Sequence, residues 1–129
     1  MVMGAFLAGI VILIWSVINF LNVPSPKSQE AVLVLAFENE GRGRMFTGEV
    51  KEGMTILDAL ITSSEAGQIA LKYNQDANKG VKITGLDDYY NSSTTNKSIA
   101  FYLNKSKVSE KDIYKVAIKP GDKIEIQLE

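Results

Sequence analysis

Five side chains in this sequence are best suited to recognise a partner: Tyr89, Tyr90 and Asn91 in one polar stretch, and Tyr102 and Asn104 in a second element. A tyrosine presents a flat apolar ring with a hydroxyl at its tip and loses little freedom on contact. An asparagine beside it brings both a donor and an acceptor. Residues 87–97 carry no hydrophobic period and read as a long surface loop, where side chains are not committed to a core. Contact with a protein, a glycan or a small molecule would use that loop together with the edge formed by residues 102–105. The plainer reading of the same tyrosines is that one closes over the core and the other stands exposed.

The residue types that are missing exclude more chemistry than the motifs present supply. The chain has no cysteine and no histidine. There is therefore no thiolate nucleophile, no disulfide framework, no Ser-His-Asp triad and no ordinary zinc site. Acid–base catalysis would rest on Asp, Glu, Lys or Tyr with shifted pKa values, and no convergent pair stands out, so no enzyme, no cofactor and no metal are expected. With 14 Lys and Arg against 15 Asp and Glu the chain is nearly neutral. It lacks the basic face that would replace counterions around phosphate, so no nucleic-acid partner is expected.

Three short motifs have simpler readings than the chemistry they resemble. Gly41-Arg42-Gly43 lacks the third glycine of a dinucleotide fingerprint and reads as a hairpin turn. Asn74, Asp76 and Asn78 have the first three spacings of a calcium loop, but Lys79 holds the sixth position and Gly85 the twelfth, so a hairpin turn is expected there too. Asn91-Ser92-Ser93, Asn96-Lys97-Ser98 and Asn104-Lys105-Ser106 match the glycosylation acceptor pattern, which matters where exported proteins are glycosylated.

The elements that would position these residues begin with an anchor. All charges lie after Pro26, and residues 2–23 form an uncharged, strongly apolar stretch. At 1.5 Å per residue, about 20 such residues cross the roughly 30 Å hydrocarbon core, so residues 1–23 read as a single transmembrane helix. The stretch has no basic n-region, and the exit Leu21-Asn22-Val23-Pro24-Ser25-Pro26 has no small-residue cleavage site clear of proline, so the anchor is expected to stay uncleaved. Gly4 with Ala8 and Ala5 with Gly9 would let two such helices pack closely as a homo-oligomer. Residues 24–30 form a short linker stiffened by Pro24 and Pro26.

Residues 31–129 are expected to form one soluble domain. Ala31-Val32-Leu33-Val34-Leu35-Ala36-Phe37 is a continuous apolar run that fits a central strand, and residues 44–50 alternate as its hairpin partner. Thr55 with Asp58 three residues on caps a helix whose Ile56, Leu57, Leu60 and Ile61 share a face, and Gly67 is the natural left-handed residue at its end. Ile69, Leu71 and Tyr73 alternate as a short strand, residues 74–80 turn, and Val81-Lys82-Ile83-Thr84 returns. Ile99, Phe101, Leu103 and then Ile124, Ile126, Leu128 give two further strands, with a tight helical turn at residues 109–112 and a type II turn at Lys119-Pro120-Gly121-Asp122. This order is an α+β sheet with one helix packed on it.

Glu52-Gly53-Met54-Thr55-Ile56-Leu57-Asp58-Ala59-Leu60, Val81-Lys82-Ile83-Thr84-Gly85-Leu86, Phe101-Tyr102-Leu103-Asn104 and Lys119-Pro120-Gly121-Asp122-Lys123-Ile124 follow one another as in the transcobalamin C-terminal-like domains of unknown function. Residues 31–129 resemble that family, which implies a β-grasp-like mixed sheet with one packed helix, behind the transmembrane helix. The resemblance departs at Ile99-Ala100, where many members carry a Trp, and at Lys105, where many carry Gly. It implies a corrinoid as the first ligand to consider, and the absent Trp argues against one. It also implies an extracytoplasmic domain, which we weigh above the weak opposite bias of Lys27 and Arg42 under the positive-inside rule. The chain ends Ile126-Gln127-Leu128-Glu129, so the diglycine chemistry of β-grasp sulfur carriers does not apply. The expectation is a non-catalytic, membrane-anchored binding or adhesion module, with a structural subunit of a surface filament or membrane complex as the alternative.

Overall fold

The structure, a computed structural model, describes residues 29–37, 42–87 and 89–129. The described residues are mostly sheet, with one α-helix. Strands β1 (Glu30–Phe37) and β2 (Arg42–Glu49) lead to helix α1 (Ile56–Gly67). Strands β3 (Leu71–Asp76), β4 (Gly80–Leu86), β5 (Tyr90–Asn91), β6 (Ile99–Leu103) and β7 (Ser106–Val108) follow, then a 3-10 turn at Glu110–Asp112 and strand β8 (Lys123–Leu128). A five-stranded sheet runs β2-β1-β8-β6-β7, and a three-stranded sheet runs β3-β4-β5. The expected anchor, residues 1–23, lies outside the described residues, and no described helix is long and apolar enough to cross a membrane.

β1 earns its central place through burial on both faces. Leu33, Leu35 and Phe37 face one side with Phe46, Ile124 and Ile126 in the main core, while Val32, Val34 and Met45 form a smaller cluster on the other. β1 pairs antiparallel with β2 and parallel with β8, the one parallel seam in the sheet, with Leu33 opposite Phe46 and Ile124. The main core also takes Ile83, Leu86 and Tyr90 from the smaller sheet, and so joins the two sheets into one unit.

Helix α1 begins where the sequence places it. The Thr55 hydroxyl accepts from the Asp58 N–H at 3.1 Å, and the Asp58 carboxylate accepts from the Thr55 N–H at 3.0 Å. The next two free donors are also used: Ile56 N–H reaches the Val116 carbonyl at 3.1 Å and Leu57 N–H the Ile113 carbonyl at 3.0 Å. The first turn is therefore closed by protein groups.

Four expectations need correction. The left-handed residue that ends α1 is Gln68, at φ 57°, not Gly67. Gly67 stays helical and serves a close approach instead: a Cβ there would lie 2.8 Å from Arg44 Nη2 and 2.9 Å from Phe46 Cζ, and Arg44 Nη1 donates to the Gly67 carbonyl at 3.0 Å. The strand expected around residues 69–73 runs from Leu71 to Asp76, and the turn expected from residue 74 shrinks to residues 77–79. Pairing with β4, which the polar sequence does not advertise, carries the strand on. The loop of residues 87–97 contains β5, and β7 was not expected at all. Asn104 (φ 51°) and Lys105 (φ 73°) make the two-residue left-handed turn that joins β6 to β7, a conformation asparagine tolerates and lysine adopts at some cost.

Candidate functional site

The three-stranded sheet builds a polar concave surface near the expected residues. Asp87 N–H donates to the Ala70 carbonyl at 2.7 Å, and Asp87 takes a left-handed φ of 52°, which turns the chain after β4. Asn91 pairs with Gly85, and Ser92 N–H reaches the Thr84 carbonyl at 3.1 Å, so residues 90–92 run back along β4. Across these strands and the start of β3 lies a groove of about 340 Å³, lined by Lys72, Thr84, Asp87, Tyr90, Asn91 and Ser93 among others.

Of the five expected residues, Tyr90 and Asn91 line this groove. Tyr90 is 6% exposed and sits in the main core beside the groove. Burial, and next the nearby Glu110 carboxylate, raise its pKa, so its hydroxyl keeps its proton at any physiological pH. The Asn91 side-chain oxygen accepts from the Ser93 N–H at 3.0 Å and the Ser93 hydroxyl at 2.7 Å, and so shapes the turn that rims the groove. Tyr89 is half-buried, its ring 5.1 Å from that of Phe37 at a 32° tilt.

Tyr102, on β6 of the other sheet, and Asn104, in the turn that follows it, do not line this groove. The Tyr102 hydroxyl donates to the Glu129 carboxylate, which also accepts from Lys107 Nζ at 2.9 Å. The Tyr102 hydroxyl bond, then Lys107, hold the Glu129 carboxyl below the usual range, while the same carboxylate pushes the Tyr102 and Lys107 pKa values up. Asn104 donates through Nδ2 to Asp122 at 2.9 Å and accepts through Oδ1 from the Lys123 N–H at 2.9 Å. Asp122 in turn accepts from the Lys119 N–H at 2.8 Å, so Asn104 ties the β6–β7 turn to the turn before β8, where Gly121 takes the expected positive φ of 92°. Both Asn104 side-chain groups are thus spent on the fold.

Lys72 and Thr84 enter the groove without having been expected there, whereas Ser93 belongs to the expected loop. The signal would have been the pairing of β3 and β5 with β4, but β3 is exposed along five of its six residues and a two-residue strand leaves no alternation to read. Among the described residues no group of three or more acidic, His or Cys side chains gathers to hold a metal ion.

No protein-family model matches the sequence, and no curated protein matches it significantly. Among solved structures the chain is similar to a Ruminococcus gnavus ATCC 29149 protein, crystallised at 1.30 Å resolution and described as a "putative metal binding protein". The TM-score is 0.58 at 12% identity, over 78% of this chain and 96% of that one. At that identity the likeness establishes a shared fold.

Proposed function

We propose that the chain is a non-catalytic, membrane-held, extracytoplasmic binding or adhesion module of β-grasp type, with the groove beside β5 as its recognition surface. The observation that carries this reading is the make-up of the groove. Thr84, Ser93, Asn91, Lys72 and Asp87 line it beside the core tyrosine Tyr90. Such a mixture of hydroxyl, amide and charged side chains matches a polyhydroxylated or peptide ligand. The strand order β2-β1-β8-β6-β7 with its central parallel pair supports the β-grasp assignment, and with it the likeness to transcobalamin C-terminal-like domains. The uncharged residues 2–23 support the anchor.

The test uses the full chain in detergent, titrated with a glycan panel, a peptide set and cobalamin. Asp87→Asn combined with Thr84→Val is expected to weaken any binding about tenfold with the melting transition unchanged, while Tyr102→Phe leaves binding intact. Binding that ignores the groove substitutions, or that Tyr102→Phe abolishes, would remove the groove from the account. Carbonate washing should leave the protein in the membrane pellet, and a mature N-terminus near Lys27 would show a cleaved signal instead. The second reading, a structural subunit, is favoured by a different feature, the exposure of β3 on both faces.

A further inference from the structure

In β3, Leu71 is half-buried and the next five residues are exposed, Tyr73 at 37% among them. Among the described residues its strand neighbour is β4, on one side, so the other edge presents its backbone donors and acceptors outward. The strand contains neither Gly nor Pro. The register irregularity between Lys72 and Tyr73 inserts its extra residue, Thr84, on β4, which leaves the outer line of β3 regular. An edge of this kind accepts another strand.

The order of residues along β3 indicates which strand. A twofold axis perpendicular to a sheet keeps each face on its own side, so only residues of like parity meet across it. Centred on Asn74, that axis sets Lys72 opposite Asp76 of a second copy, Asn74 opposite its own equivalent, and Asp76 opposite Lys72. The other face receives two Tyr73–Gln75 pairs, beside Ile83 and Val81, their partners on β4. Opposite charges are a favourable cross-strand pair, and none of the remaining pairs sets like charges opposite each other. The other long edge, β2, lacks this pattern: Arg44 and Glu49 differ in parity, and Arg44 is bonded to the Gly67 carbonyl.

We propose that β3 is a homodimer seam, at which two copies join antiparallel about Asn74 into one six-stranded sheet, β5-β4-β3-β3-β4-β5. The sequence has no cysteine, so Asn74→Cys introduces a single thiol per chain, and two of these face each other at the axis. The full chain in detergent should run as a dimer, and oxidised Asn74→Cys should become a disulfide-linked dimer, while Lys82→Cys on β4 should not. Lys72→Glu sets like charges opposite each other twice per dimer and should weaken association at least about tenfold. Adding Asp76→Asn should recover much of the loss, and it keeps the side-chain oxygen that accepts from the Asn78 and Lys79 N–H groups at 2.6 and 3.2 Å, so the turn survives. A monomeric full chain, an Asn74→Cys protein that does not cross-link, or a dimer indifferent to Lys72→Glu would each overturn the seam. So would a dimer that Gly4→Ile dissolves and Lys72→Glu does not.

Discussion

β1 and β3 are both regular strands, yet they hold their places for different reasons. In β1 six of eight residues are buried, and the strand is paired on both sides. In β3 five of six residues are exposed, and among the described residues one edge has no strand neighbour. The first strand is stabilised by apolar area removed from water, whereas the second depends on its ladder to β4. A residue in β1 is therefore constrained by packing, and a residue in β3 is available for contact. The groove and the proposed seam both lie on the three-stranded sheet, and the five-stranded sheet with α1 is the scaffold that carries it.

Substitutions should separate the two regions, and the largest effect belongs to the scaffold. Phe101→Ala removes a fully buried ring from the main core and should cost about 3–5 kcal/mol in denaturant unfolding. A loss under about 1 kcal/mol would mean that this core is not packed as described. Asn104→Ala breaks two hydrogen bonds between turns and leaves Asp122 and the Lys123 N–H to solvent, for which about 1–2 kcal/mol is expected. Thr55→Ala opens the capping box of α1 and should cost about 1 kcal/mol, read the same way. At the small end, Gln75→Ser on β3, in a Lys72→Glu background that keeps copies apart, should change stability by less than about 0.5 kcal/mol. A larger loss from that exposed site would erase the distinction between the regions.

One ionic feature sharpens the comparison through pH. The folded-state pKa of Glu129 lies below its ordinary value, so the contribution of this carboxylate is present above the ordinary carboxylate range and fades as pH falls through the lowered value. Tyr102→Phe removes the first cause of that shift. A carboxyl-resolved NMR titration should show the Glu129 midpoint rise toward the ordinary value, and an unmoved midpoint would contradict the hydrogen bond.

The scaffold was legible in the sequence because burial leaves a pattern. The run from Ala31 to Phe37, the alternations at residues 99–103 and 124–128, and the Thr55–Asp58 pair each declare their element, and each is found. The smaller sheet left less to read. β3 has polar residues on both faces, β5 is two residues long, and β7 depends on a turn in which lysine takes the place glycine would favour. The candidate site was legible in the same measure. Tyr90 and Asn91 were singled out by type and do line the groove, but Lys72 and Thr84 reach it through strand pairing that no periodicity reports. Tyr102 and Asn104 have the chemistry of recognition, and their bonds to Glu129, Asp122 and Lys123 are internal.

The central claim is that stability resides in the main core, built by the five-stranded sheet, α1 and β4, with the edge strand β3 left to make contacts. Residue-resolved amide hydrogen exchange on the full chain in detergent, carrying Lys72→Glu to keep copies apart, tests it directly. Ladder amides of β1, β6 and β8 should exchange only through global unfolding, while those of residues 72–76 exchange through local opening, at rates on the order of a hundredfold faster or more. Protection of residues 72–76 equal to that of β1 in this monomeric protein would contradict the account.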